Sequence, residues 1–159
     1  MNSGPQLSQG SHGDDVRRLQ RILVMTKLLD YTGIDGNFGP KTKSAVEQFQ
    51  QGNGLRVDGI VGQQTWAKLP ADPDTPRLAR GAKGSEVSAL QHGLKTFGKP
   101  ATNPGAIDGD FGPTTETAVR GYQHDRGVHV DGVVGDQTWW VPAGGAGATL
   151  ASLSGLTTV

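Results

Sequence analysis

The chain has 159 residues, no cysteine, and fifteen basic side chains balanced by fifteen acidic ones. The balanced charge leaves no basic stripe and argues against a nucleic-acid partner, and the missing cysteines exclude disulfides and thiolate metal sites. No apolar run approaches the roughly 18 residues that a membrane span needs.

Met1–Gln6 has no basic region followed by an apolar stretch, so no secretory signal is expected. The chain then stays in the cell that made it or leaves by another route, such as lysis or assembly into a particle. The first helix is expected over Asp14–Leu29, where Val16, Leu19, Ile22, Leu23 and Met25 fall at helical spacing. A corner follows, Asp35-Gly36-Asn37-Phe38-Gly39-Pro40-Lys41-Thr42, with Pro40 at a first helical position. The second helix carries Ala45, Val46 and Phe49 inward and stops near Gly52-Asn53-Gly54. A second corner, Asp58-Gly59-Ile60-Val61-Gly62-Gln63-Gln64-Thr65, leads into a short third helix presenting Trp66 and Leu69.

The plan then repeats. Leu78–Gly84 matches Leu7–Gly13 at an offset of 71, and two inserted residues in the Lys99–Gly105 loop raise the offset to 73. The third and fourth corners open at Asp108 and Asp131, spaced 23 apart like Asp35 and Asp58. A nested repeat of this kind predicts an all-α fold of two tandem three-helix domains, 7–69 and 78–141. A Pro-rich linker at 70–77 joins them, and a Gly/Ala-rich tail at 142–159 lies outside the repeat. In the second domain's first helix, Gly93 replaces Ile22. A mid-helix glycine costs about 1 kcal/mol against alanine, so this domain is expected to be the less stable.

Asp35, Asp58, Asp108 and Asp131 recur at equivalent turns, which favours loop capping over acid–base chemistry. Phe38, Phe111, Trp66 and Trp139 fit the core pattern, whereas Trp140 stands where the first domain has Ala67 and is expected to pack against the tail. His12, His92, His124 and His129 lack metal-ligand spacing, and no serine sits in a nucleophile elbow. The sequence thus predicts no catalytic constellation, no metal site and no cofactor.

The ordered set Leu-x-x-Gly-x-x-Gly-x-x-Val-x-x-Leu-Gln, Asp-Gly-x-Phe-Gly-Pro-x-Thr, Val-x-x-(Phe/Tyr)-Gln and Val-Asp-Gly-x-Val-Gly-x-x-Thr-Trp resembles the peptidoglycan-binding domain family. It occurs twice, over Leu7–Leu69 and Leu78–Trp140. The resemblance implies a three-helix fold and attachment to bacterial cell wall, in a family commonly appended to wall hydrolases. A peptidoglycan strand offers amides, hydroxyls and carboxylates, which short polar side chains at the corners can meet. The expected binding residues are Asn37, Gln63, Gln64 and Thr65 in the first domain and Asp110, Asp136, Gln137 and Thr138 in the second. The more acidic second set disfavours an anionic stem peptide, so the first domain is expected to bind better.

Two readings follow. One is a non-catalytic wall-binding module whose two weak sites gain avidity from their linkage. The other is a structural or adaptor component of a phage particle or injection apparatus, docked through residues 144–159, where Leu150, Leu153, Leu156 and Val159 recur every three residues. Without a signal, access to the cell wall or periplasm implies lysis, non-standard export, or membership of a virion or extracellular particle.

Overall fold

The computed structural model describes residues 3–72, 75–144 and 148–156. It divides into two compact units, Met1–Asp74 and Thr75–Val159. The second unit therefore takes in the segment that follows the repeat as well as Thr75, Pro76 and Arg77. Among the described residues the regular elements are helices, with only isolated β-bridges between them.

The first unit holds α1 (Asp14–Met25), α2 (Pro40–Gly52) and α3 (Gln63–Lys68). Asp14 and Asp15 lie in the first turn of α1, where negative charge suits the helix dipole. Pro40 opens α2 with its φ already set and no amide hydrogen to satisfy. One cluster of Leu7, Val16, Leu19, Ile22, Leu23, Phe38, Ala45, Val46, Phe49, Val61, Trp66 and Leu69 forms the core. The extended segment before α1 is pinned to the corners by bridges Leu7↔Val61 and His12↔Asn37.

Helix α1 ends four residues before the periodicity does. Lys27 turns into the left-handed region at φ 69, and the amides of Leu28 and Leu29 both reach back to the Leu23 carbonyl. Leu28 and Leu29 still pack on the core, which is why their spacing imitates a longer helix. After α3, Asp72 receives a two-pronged bond from Arg21 at 3.1 and 2.9 Å, fastening the outgoing chain to α1.

The second unit repeats these parts as α4 (Ser85–Phe97), α5 (Pro113–Arg126) and α6 (Asp136–Trp140), and adds α7 (Leu150–Leu153). The indoles of Trp66 and Trp139 are fully buried, and each donates its Nε1–H to a proline carbonyl, Pro5 at 2.7 Å and Pro76 at 2.6 Å. The repeat thus begins at Pro5 and Pro76, two residues before the leucines that mark it in sequence.

Two glycines inside the helices of this unit are seats for its additions. A Cβ on Gly93 would overlap the Ser154 hydroxyl and lie 3.0 Å from the Ser154 amide nitrogen. Helix α7 packs on α4 and α6 through this gap, and Leu150 and Ala151 are fully buried there. A Cβ on Gly121 would overlap the Ala101 carbonyl, so the inserted Pro100–Thr102 turn lies directly on α5. The missing side chain at position 93 is therefore replaced by packing from α7, which offsets the lost helix propensity.

The tail docks on its own unit. Its entry is a bridge between Pro142 and Thr149 with Ala143 N–H donating to the Ala148 carbonyl at 2.8 Å, and Thr149 and Ser152 form a reciprocal capping box. Leu150, offered by the sequence as an adhesive residue for an external assembly, is used inside the fold, while Val159 lies outside the described residues. Trp140 is 4% exposed and donates to Thr75 Oγ1 at 3.2 Å, and its helix lies against α7.

Candidate functional site

Each Asp-Gly corner is held by one buried glutamine. Gln20, Gln50, Gln91 and Gln123 come from α1, α2, α4 and α5 and are at most 1% exposed. In the second corner, Gln50 Oε1 accepts from the amides of Asp58 and Gly59 at 3.2 and 3.0 Å. Its Nε2 donates to Asp58 Oδ1, the Ile60 carbonyl and Thr65 Oγ1 at 2.9, 2.9 and 3.2 Å. Gln20 makes the same five bonds to Asp35, Gly36, Asn37 and Thr42. Gln91 does so with Asp108, Gly109, Asp110 and Thr115, and Gln123 with Asp131, Gly132, Val133 and Thr138.

A primary amide is the side chain that fits this demand. It offers an acceptor to two backbone amides and two donor hydrogens to surrounding oxygens. The corner glycines adopt φ between 70 and 78, which admits the tight turn around the glutamine oxygen. Each aspartate closes the turn by accepting the amide two residues on, at 2.9 to 3.0 Å. The Ile60 amide, with Gln50 and Arg56, holds the Asp58 carboxyl below the ordinary carboxylate range. The Asp110 amide and Gln91 lower Asp108 similarly. At Asp131 burial raises the value, but the Val133 amide, Gln123 and His129 outweigh it and the net direction is down. Asp58, Asp108 and Asp131 are ionised acceptors, with no raised value of the kind a general acid requires.

The corner facing α3 carries a groove of about 300 Å³ lined by Gln6, Gln50, Leu55, Arg56, Asp58, Ile60, Gly62, Gln63, Gln64 and Thr65. Gln63, Gln64 and Thr65 are thus brought together. The side chains of Gln63 and Gln64 are exposed, whereas Thr65 is buried with its hydroxyl accepting from Gln50. Asn37 belongs to the other corner, where its carbonyl accepts from Gln20 and its residue bridges His12. In the second unit Gln137 is exposed, Asp136 is half-buried and Thr138 is buried in its glutamine clip. Asp110 lies at the opposite corner, exposed, 3.8 Å from Lys83.

Sequence reasoning missed Gln6, Leu55 and Arg56 as groove residues. Arg56 and its counterpart His129 stand two positions before the Asp of their corners, so the repeat itself marks the position as one that differs between units. Among the described residues, no three His, Asp or Glu side chains converge to hold a metal ion.

Residues 12–69 and 83–140 each match the family profile described as "Putative peptidoglycan binding domain". A probable N-acetylmuramoyl-L-alanine amidase of Bacillus licheniformis is 32% identical over 157 residues, covering 86% of this chain and 44% of the amidase. The zinc D-Ala-D-Ala carboxypeptidase of Streptomyces albus G is 47% identical over 64 residues, covering 40% of this chain and 25% of that enzyme. Among solved structures, a Burkholderia AP3 phage endolysin is 34% identical over 58% of this chain and 33% of its own, with a TM-score of 0.39. The chain spans less than half the length of the amidase and of the carboxypeptidase. With the family profile matched twice, over more than half of its residues, the chain belongs to the peptidoglycan-binding domain family and carries two copies of that domain.

Proposed function

We propose that this chain attaches to bacterial cell wall as a binding module without hydrolytic chemistry of its own, and that the groove between Arg56 and α3 is its principal contact. One observation carries the reading. All four repeated Asp–Thr pairs are tied to buried glutamines, which supports a structural role for them over a catalytic one. What the corner leaves open to solvent is a set of neutral amides, one guanidinium and the Asp58 carboxylate, a polar surface suited to recognition. The relatives that share the domain are named as a probable N-acetylmuramoyl-L-alanine amidase and a zinc D-Ala-D-Ala carboxypeptidase. Their domain copies support wall attachment as the shared role.

The test is co-sedimentation of the purified chain with insoluble sacculi, with release of soluble wall fragments followed in the same tubes. Retention in the pellet at micromolar protein, without release, is expected. A chain left in the supernatant would refute wall attachment, and steady release of fragments would refute the absence of hydrolysis. Of the spaced residues that an adaptor reading would use, Leu150 is buried within the second unit, while Leu153 and Leu156 are half-buried.

A further inference from the structure

We infer that the groove of the first unit recognises a carboxylate of the wall's stem peptide, anchored by Arg56, and that the sugar chain is not its ligand. The inference rests on the wall-binding reading above. Arg56 is exposed in the groove and makes no hydrogen bond or ion pair with any described residue. A guanidinium presents a planar fork that matches a carboxylate with two parallel bonds. The amides of Gln6, Gln63 and Gln64 stand around it with no described side-chain partner and can complete a peptide's hydrogen bonds.

Asp58 is the one acid lining the groove. Its Oδ1 already accepts from Gln50 Nε2 and from the Ile60 amide, and Arg56 acts on it through space. The aspartate is thus part of the corner's wall, and the guanidinium lines the groove beside it with no direct bond to it. The groove offers no aromatic face on which a sugar ring could stack: none of the lining residues is aromatic and all three tryptophans are buried. The apolar neighbours are aliphatic: Leu55 and Ile60 line the groove, and the adjacent Val57 is 51% exposed. Small aliphatic surfaces of this kind suit the methyl groups of alanyl residues.

The second unit alters the same positions. His129 stands in place of Arg56 and Asp136 in place of Gln63, so a permanent cation is replaced by an imidazole and a neutral amide by an acid. That unit disfavours an anion, so of the two equivalent corners the first is the carboxylate site.

The test uses the full chain on sacculi, with and without hydrofluoric acid treatment to remove phosphate polymers. Competitors are soluble stem peptides and soluble peptide-free glycan strands. Stem peptides should displace the chain from treated sacculi, and glycan strands should not. Arg56→Gln should weaken binding about tenfold or more, with Arg56→Lys closer to the parent and His129→Gln unchanged. Arg56 is exposed, so an unchanged thermal midpoint will separate lost contact from lost fold. Displacement by glycan strands, parental affinity of Arg56→Gln, or binding lost on removing phosphate polymers would each overturn the inference while leaving wall attachment intact. A parent chain that fails to sediment with any sacculi would overturn both.

Discussion

Replacing Gln50 with alanine isolates what one glutamine clip contributes. The side chain supplies five bonds within 3.2 Å, and its removal takes a partner from Asp58 N–H, Gly59 N–H, the Ile60 carbonyl and Thr65 Oγ1, while Asp58 Oδ1 keeps the Ile60 amide. Asp58 is exposed, so water can reach its carboxylate and amide. Gly59 N–H and Thr65 Oγ1 lie on the buried side of the corner. Two buried groups left unsatisfied cost about 1–3 kcal/mol each, a total of about 2–6 kcal/mol. A unit this small has little stability to lose, so Gln50→Ala should bring the first unit close to unfolding at ambient temperature. Hydrogen exchange read by mass spectrometry resolves the two units. Peptides from residues 3–72 should lose protection, and those from 75–144 should keep it. Gln91→Ala should invert that pattern. A loss below about 1 kcal/mol would show that water enters the corner freely, and would refute the claim that the amide is irreplaceable there.

Gly93→Ala, which in an ordinary helix gains about 1 kcal/mol, should instead destabilise the second unit by about 1–3 kcal/mol because its Cβ overlaps Ser154. In a chain truncated after Gly144 the same substitution should become stabilising relative to the truncated parent, as denaturant midpoints will show. Gly121→Ala meets the Ala101 carbonyl and should lower the thermal midpoint of the second unit, the loss persisting after tail truncation. Acid titration should reveal the corners. Asp58, Asp108 and Asp131 are depressed in the fold, so the stability they contribute is complete above the unfolded carboxyl value and disappears as pH falls through their lower folded values. Unfolding monitored by circular dichroism should therefore steepen below about pH 4, and Asp58→Asn should flatten the first unit's share of that slope.

The helices and most of the core were legible because their periodicity and corners occur twice. Val16, Leu19, Leu23, Phe38, Val46 and Trp66 are inside, as helical spacing and the corner motif predict. What the pattern concealed were interactions between distant positions. Gln20 and Gln50 stand in the repeated Leu-Gln and Phe-Gln pairs, yet a polar residue in a helix gives no sign that its partners lie 15 to 22 and 8 to 15 residues ahead. Gly93 read as a weak point because propensity is a local quantity, and its purpose is visible only when Ser154 arrives beside it. Thr65 and Thr138 are short polar side chains at the corners and so read as ligand contacts, but they are buried and their hydroxyls accept from the glutamines. Arg56 escaped notice because an isolated surface arginine carries no periodicity at all.

The glutamine clips also bear on how this chain ages. In an Asp-Gly sequence the unhindered glycine nitrogen can attack the preceding side-chain carboxyl carbon, expel water and close a succinimide, which reopens mostly as an isoaspartyl linkage that lengthens the backbone by one carbon. Four such sequences would ordinarily mark four places of slow chemical decay. Here the nitrogens of Gly36, Gly59, Gly109 and Gly132 each donate to a glutamine oxygen at 2.9 to 3.0 Å, while the neighbouring carboxylates are held by the same glutamines. Nucleophile and electrophile are fixed by one side chain, and ring closure requires the corner to open first. The covalent lifetime of these turns is consequently set by how often the fold opens, and a chain that survives long exposure to its surroundings depends on four buried amides.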